Sequence, residues 1–418
     1  MSSAGNPFEG MPFFGDLLKM LGSQGPVQWD GARQLAVSLA TGGQSEPNVD
    51  PMERIRFEQL TRVADLHVSQ ATGLSTSTTG KPVTVTPVSR SQWALATLDA
   101  FRPIIEHMAK ALHPEGTQPP DLTAAIDPTD GSDPTDAWLG QIMTLLSPMI
   151  LGMTTGSLVG HLATRSFGQF DLPLPRPTSD DIMVVAPNIA EFESDWSMNG
   201  DDLRLWVCLH QVVHHAVLGV PHVRERLQEL LESYASAFES NPESLGSKLT
   251  ELDIDPTGGD PMARFQELLG DPEVMLGAVR SPQQEELLAR LEALVSVIAG
   301  YVDHVMDGVG SGLIGTYGQV TEAMRRRRVE EAASDRFVER MLGLELTQEH
   351  FDRGRTFIDG VVDRAGVEAL GQLWTSEESL PTPNEVAAPG LWLARMGIEV
   401  EIDDDIDFGD LDISDFED

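Results

Sequence analysis

Apolar residues recur at helical spacing over most of this chain. From Pro51 to Leu74, Ile55, Leu60, Val63 and Leu66 fall three to five residues apart, which predicts an amphipathic helix with those four on its core side. Ser89 to Leu112 repeats the pattern more strongly. Trp93, Leu98, Phe101, Ile105, Met108 and Leu112 share one broad face, and Pro103 predicts a bend. Leu287, Leu291, Leu294, Ile298, Val302 and Val305 mark a further long helix between Ser281 and Met306. Asp201 to Leu218 is helical and almost wholly apolar apart from its histidines, so it belongs in a core. Pro221 then opens a second helix with Arg224, Glu225 and Glu229 on its solvated side. Tyr317 to Met324 ends in four arginines, Arg325 to Arg328, which begin a charged helical region reaching about Gln372. Within IMVVAPNIAEF, Ile182 to Val185 is the clearest strand. The fold class is mainly α with a small β element.

The breaks between these patterns divide the chain. Residues 1–50 are rich in Gly, Ser, Pro and Gln, with one apolar patch from Met11 to Leu21, and are expected to be a flexible N-terminal segment. A helical body follows over 51–396, and an acidic tail over 397–418. Pro, Gly and Asp crowd the stretch between His113 and Asp136, which marks a surface loop, and residues 241–261 are turn-rich. Ala137 to Thr164 carries no formal charge if His161 is neutral, and is long enough to span a bilayer. Gln141, Ser147, Pro148, Ser157 and His161 interrupt it, and no Lys/Arg cluster flanks it. A buried helix is expected there, not a membrane span. Gly152, Gly156 and Gly160 recur every four residues and leave a smooth strip where another helix can approach.

Charge narrows the partners. The formal net charge is −38, with 66 acidic residues against 28 basic, so the Lys/Arg surface that nucleic acid requires is missing. Cys208 is the single cysteine. No intramolecular disulfide can form, and with no secretory leader in MSSAGNPFEGMPFFGDLLKM the expected compartment is the cytoplasm. Residues 399–418 hold eleven carboxylates and no base, punctuated by Ile402, Ile406, Phe408, Leu411, Ile413 and Phe416. Such a tail either solvates the chain end or offers apolar anchors to a partner's basic groove. The oligomeric state is not legible.

The candidate chemistry lies in LHQVVHHAV, Leu209 to Val217. Positions four apart on a helix point the same way, so His210 and His214 can both reach one ion at the roughly 2.0–2.1 Å of a zinc–imidazole bond. In H-E-x-x-H the glutamate takes a proton from zinc-bound water. Gln211 occupies that position here, and an amide can hold a water but cannot usefully accept its proton. Taken on its own, a pair of histidines four apart reads first as satisfied core side chains and only second as a metal site. His215 points about 100° away from His214. Cys208 reads as a buried inert thiol. The arginine run reads as a surface face paired with the excess acid.

The order of segments carries more than any one of them. A glycine-spaced apolar helix, VVAPNIAEF, LHQVVHH followed by VPHVRERL, then IAGYVDHVMD, MRRRR, GLEL and an LW…LPTP region together resemble an actinobacterial zincin-like family of candidate hydrolases and zinc-dependent metalloproteases. One branch of that family is associated with biosynthesis of a deazaflavin coenzyme. The resemblance runs from about Pro7 to Met396 and implies a zincin-like helical architecture. It matches His210 and His214 to the family's metal histidines. Gln211 stands where the family has its catalytic Glu, and Ala299 stands where a later helix supplies a carboxylate ligand. Asp303 or His304, about one turn beyond Ala299, are the candidates for a third ligand, though by residue type Asp303 reads first as a solvated or capping carboxylate and His304 as a packing or hydrogen-bonding histidine. Tyr301 is a candidate to polarise a carbonyl or, more simply, a core aromatic. The implied cofactor is zinc, weakly held or lost. Three functions follow as expectations. The first is a catalytically impaired zincin-like protein that binds a peptide or protein in the old cleft. The second is an active zinc metallopeptidase or hydrolase with a substitute base. The third is an interaction scaffold acting through its acidic tail.

Overall fold

A computed structural model of the chain describes residues 25–112, 134–238, 281–329 and 348–399, with the side chains of 112, 134–146 and 328–329 left aside. In chain order the elements are α1 (Trp29–Thr41), α2 (Pro51–Thr72), β1 (Thr84–Val88), α3 (Arg90–Leu112), α4 (Pro134–Ala163), β2 (Asp181–Val185), α5 (Ala186–Asp195), α6 (Gly200–Gly219), α7 (Pro221–Ser236), α8 (Pro282–Leu313), α9 (Tyr317–Val329) and α10 (Gln348–Ala365). Two 3₁₀ turns (Val367–Trp374 and Glu377–Ser379) and the short helices α11 (Pro383–Ala387) and α12 (Pro389–Met396) follow. The fold is mainly helical, with one small parallel pair of strands. The acidic tail beyond Glu399, the Met11 to Leu21 patch, the turn-rich stretch at 241–261 and most of the 113–136 loop lie outside the described residues.

The glycine strip of α4 finds its partner in α1. A Cβ on Gly152 would lie 2.6 Å from the carbonyl oxygen of Gln28, and one on Gly156 2.5 Å from that of Ala32. The two helices therefore approach backbone to backbone, and Ala32, Ala36 and Ala40 are buried between them. The sequence sets residues 1–50 apart as flexible, yet 29–41 is a packed helix. Small residues that read as loose composition are what so close a crossing needs. No single described helix is long and apolar enough to cross a membrane.

The helix predicted from Pro51 is present, but turned. Phe57, Thr61, Ala64 and Val68 face the core, whereas Ile55, Val63 and Leu66 are 46, 38 and 53% exposed. Apolar residues stand on two sides of this helix, and periodicity alone does not say which side meets a neighbour. On α3 the expected face is the buried one: Trp93, Leu98, Phe101, Ile105 and Met108. So it is on α8, where Leu291, Leu294, Ile298, Val302 and Val305 are buried. Ser281 and Gln284 close a reciprocal capping box that starts α8.

Strand β2 contains the predicted Ile182 to Val185. Its partner β1 runs parallel, with Val85 opposite Ile182 and Val88 opposite Val185. On the other side of β2 the 165–171 loop adds backbone bonds, Val185 N–H to Phe167 O at 2.8 Å and Gln169 N–H to Met183 O at 3.1 Å. This small sheet holds the loop against α6.

Candidate functional site

Helix α6 is buried on every side from Leu203 to Leu218. Asn199 caps it, accepting from the N–H groups of Asp201 and Asp202 at 3.0 and 3.1 Å. One turn on, buried Arg204 bonds Glu53 of α2 (2.7 and 3.1 Å) and Glu193 of α5 (2.7 Å). Burial alone would lower the guanidinium's pKa, but these carboxylates outweigh it and raise it. The pairs fix the rotation of α6 and hence the direction of every residue after them.

His210 and His214 do share a face, with ring centroids 4.4 Å apart and planes at 54°. His210 stacks on Trp206 at 4.9 Å, and His214 lies parallel to Phe170 at 6.2 Å. The Nδ1 of His214 is 2.9 Å from the carbonyl oxygen of His210. That contact favours the tautomer with the proton on Nδ1, in which Nε2 carries the lone pair.

Gln211 is turned toward the 165–171 loop, with its Nε2 also 3.4 Å from the Nδ1 of His210. Its Oε1 accepts from the Phe170 N–H at 2.9 Å, and its Nε2 donates to Asp171 Oδ1 at 3.1 Å. The side chain is 1% exposed. Asp171 also accepts from the N–H groups of Phe167 (2.6 Å) and Gly168 (3.1 Å). Gly168 has to be glycine, since a Cβ there would sit 2.3 Å from the Gln211 Cδ. An amide is the group that both donates and accepts here. A carboxylate at 211 would turn an oxygen toward the Asp171 carboxylate.

Arg327, third in the arginine run, reinforces the same loop. It bonds the Arg165 carbonyl, lies 3.6 Å from Asp171 Oδ2 and covers the Phe167 ring at 3.8 Å. Arg326 pairs with Glu322 at 2.8 Å, and Arg325 is exposed beside a cleft. The run is thus a surface face in one member and a buttress in another.

His215 points away from the pair, as the helical angle predicts, and its Nε2 lies 3.3 Å from Asp180. Burial lowers the pKa of His215, against the raising influence of Asp180. Asp180 is itself buried, which favours its neutral form, but the hydroxyls and N–H groups of Thr79 and Thr78 overcome that and hold it well below the ordinary carboxylate range. Cys208 is a buried thiol pushed up to about 12 by burial. Tyr301 is a core aromatic, packed edge-on against Trp374 at 5.0 Å, and burial raises its pKa.

Asp303 lines a cleft with Trp206, Met306, Tyr317 and Arg325, and Trp206 is the ring on which His210 stacks. His304 is partly exposed and Ala299 buried on the same helix. Gly300 and Gly354 form the contact between α8 and α10, with a Cβ on Gly354 falling 1.9 Å from the Ser296 carbonyl oxygen. Among the described residues, no three His, Cys, Asp or Glu side chains form a group that could hold a metal ion. The described donors are therefore two imidazoles, which do not by themselves fit a zinc ion, since zinc takes at least three protein donors.

Sequence reasoning did not single out Phe170, Asp171, Asp180 or Arg176. Asp171 stands forty residues before Gln211, in a Leu/Pro-rich stretch with no periodicity to flag it. Only the folded loop brings the two together.

A helical body with a paired-histidine helix at its centre is the setting of a zincin. The family model for zincin-like metallopeptidases matches residues 27–393, and the chain belongs to that family. A crystal structure from Chloroflexus aurantiacus, described as a candidate hydrolase with a novel fold, superposes with a TM-score of 0.61 at 22% identity. The match covers 89% of this chain and 99% of that one, and it shows a shared fold. Nothing among the curated proteins matches the chain.

Proposed function

We propose that this protein is a zincin-like metallopeptidase family member impaired in hydrolysis and retained for binding a peptide or protein beside the histidine helix. The observation that carries this is the double hydrogen bond of Gln211 to Phe170 and Asp171. A general base must reach the proton it removes and have a lone pair with an affinity for it. Here the side chain is an amide, and both of its ends are already bonded, Oε1 to the Phe170 N–H and Nε2 to the Asp171 carboxylate. The histidine pair offers two donors on one face of α6, one short of what zinc takes. Asp303 and His304 remain the candidate third ligands, and zinc, held weakly or lost, the implied ion.

The test is metal analysis and peptide cleavage on chain purified without chelator, run beside a His210→Ala, His214→Ala variant. The proposal expects little zinc in either and no chelator-sensitive cleavage of a peptide library. Zinc near one equivalent together with chelator-inhibited cleavage, both abolished in the variant, would make the protein a working metallopeptidase with another base.

A further inference from the structure

A second cleft opens on the far side of Phe170, and its charge is opposite to that of the protein. It lies between the 169–179 segment, the end of α6 and the first turns of α7, and Arg176, Arg224, Thr178, Ser179 and His215 line it. Arg176 makes two hydrogen bonds, both to neutral acceptors: Thr97 Oγ1 and the Gln169 carbonyl, each at 3.1 Å. Its Nε is buried without a hydrogen-bond partner. The guanidinium carbon stands 5.8 Å from the centre of the Trp93 ring and 5.7 Å from that of Phe101. Burial pushes its pKa down to about 10, with no carboxylate to offset it. Arg224 bonds Thr178 Oγ1 at 3.2 Å. Neither arginine has an ion-pair partner among the described residues. Arginines elsewhere in the protein, such as Arg90, Arg204 and Arg395, reach carboxylates.

In a chain with 66 acidic residues and 28 basic, two guanidiniums in one concavity with no carboxylate partner among the described residues are unusual. A partly desolvated cation costs free energy unless an anion meets it. Asp180, the partner of the cleft residue His215, does not meet this need. It sits behind His215 and is saturated by donors from Ser77, Thr78, Thr79 and His215.

We propose that this cleft is a binding site for a small oxyanion, a terminal carboxylate or phosphate group, held between Arg176 and Arg224 with the Thr178 and Ser179 hydroxyls as further donors. Planar guanidinium forks suit both anions. Phe170 is the cleft's wall on one side and the stacking partner of His214 on the other, so the site adjoins the histidine helix. It does not depend on whether those histidines hold a metal.

The test is isothermal titration of the full chain with inorganic phosphate and, separately, with succinate, at fixed ionic strength set by sodium chloride. Saturable binding of one or both anions is expected, and which of them binds tells phosphate from carboxylate recognition. Arg224→Gln removes a surface side chain bonded only to a hydroxyl, so the fold should persist. It should weaken binding about tenfold, the size of one charge-assisted hydrogen bond. Arg364→Gln, at an exposed arginine bonded to the Gly360 carbonyl, should change nothing. Absence of saturable binding for both anions, or equal binding by wild type and Arg224→Gln, would overturn the assignment.

Discussion

At the scale of single residues, Gln211 shows how one atom changes a site. Gln211→Glu writes an H-E-x-x-H sequence into α6, yet it sets a second carboxylate against Asp171 in a buried position. We expect destabilisation of about 1–3 kcal/mol at neutral pH, the cost of a buried polar contact turned repulsive. Two adjacent carboxylates raise the pKa of one of them. The penalty should therefore be full above that raised value and shrink as pH falls toward the unfolded Glu value of about 4.3. Urea denaturation of both proteins at pH 5 and pH 8 checks it, and an equal loss at the two pH values would contradict the pairing. His215 predicts a slope of its own. Its folded pKa is lowered, so as pH falls below about 6.5 the unfolded chain takes up a proton before the folded chain does. The stability it contributes is complete above that pH and is lost on the way down to the lowered folded value. His215→Gln keeps a donor for Asp180 and should flatten this part of the pH–stability curve. A curve of unchanged slope would assign the titration to another group.

Among the elements, the glycines divide by what surrounds them. Ala is favoured over Gly inside a helix by roughly 1 kcal/mol. At Gly156 that gain is opposed by a Cβ placed 2.5 Å from a backbone oxygen of α1, and overpacking of this kind costs about 1–3 kcal/mol. Gly156→Ala should lower the urea midpoint. Gly308→Ala, in α8 with nothing within 4 Å of its Cβ, should raise it. Opposite signs at two helical glycines are the expected outcome, and stabilisation by both would mean that α1 and α4 do not cross so closely. The periodic segments were legible as helices because burying one side of a helix demands that spacing. The side itself was not always legible. On α2 two apolar stripes compete, and contact with α6 and β1 selects Phe57, Thr61, Ala64 and Val68. The partner strand β1, TVTPV, carries a proline and is only five residues long, too short for alternation to separate it from a loop.

Across the whole molecule, charge dominates. A net charge of −38 makes the compact state repel itself, and added salt screens that repulsion, with a Debye length of about 10 Å at 0.1 M. The urea midpoint should rise between about 0.01 and 0.3 M sodium chloride, where a Debye length of roughly 30 Å contracts below 10 Å. A midpoint that fell would mean that attractive pairs such as Arg204 with Glu53 and Glu193 outweigh the net repulsion.

The sequence by itself determined the helical class, the strand at Ile182, the close-packing strip of α4 and the pairing of His210 with His214. Each follows from local geometry: a period of 3.6 or 2, or the absence of a side chain. What it left open was decided by contacts between residues far apart in the chain. Helix α1 was recruited into the core by the glycines of α4, more than a hundred residues on. The amide at 211 gained its meaning from Phe170 and Asp171, and Arg176 and Arg224 became a site when the turn between α6 and α7 closed against the 169–179 segment. Spacing along a chain fixes which residues share a face, but the charge and hydrogen bonding a face will meet belong to the partner, and the partner is chosen by folding.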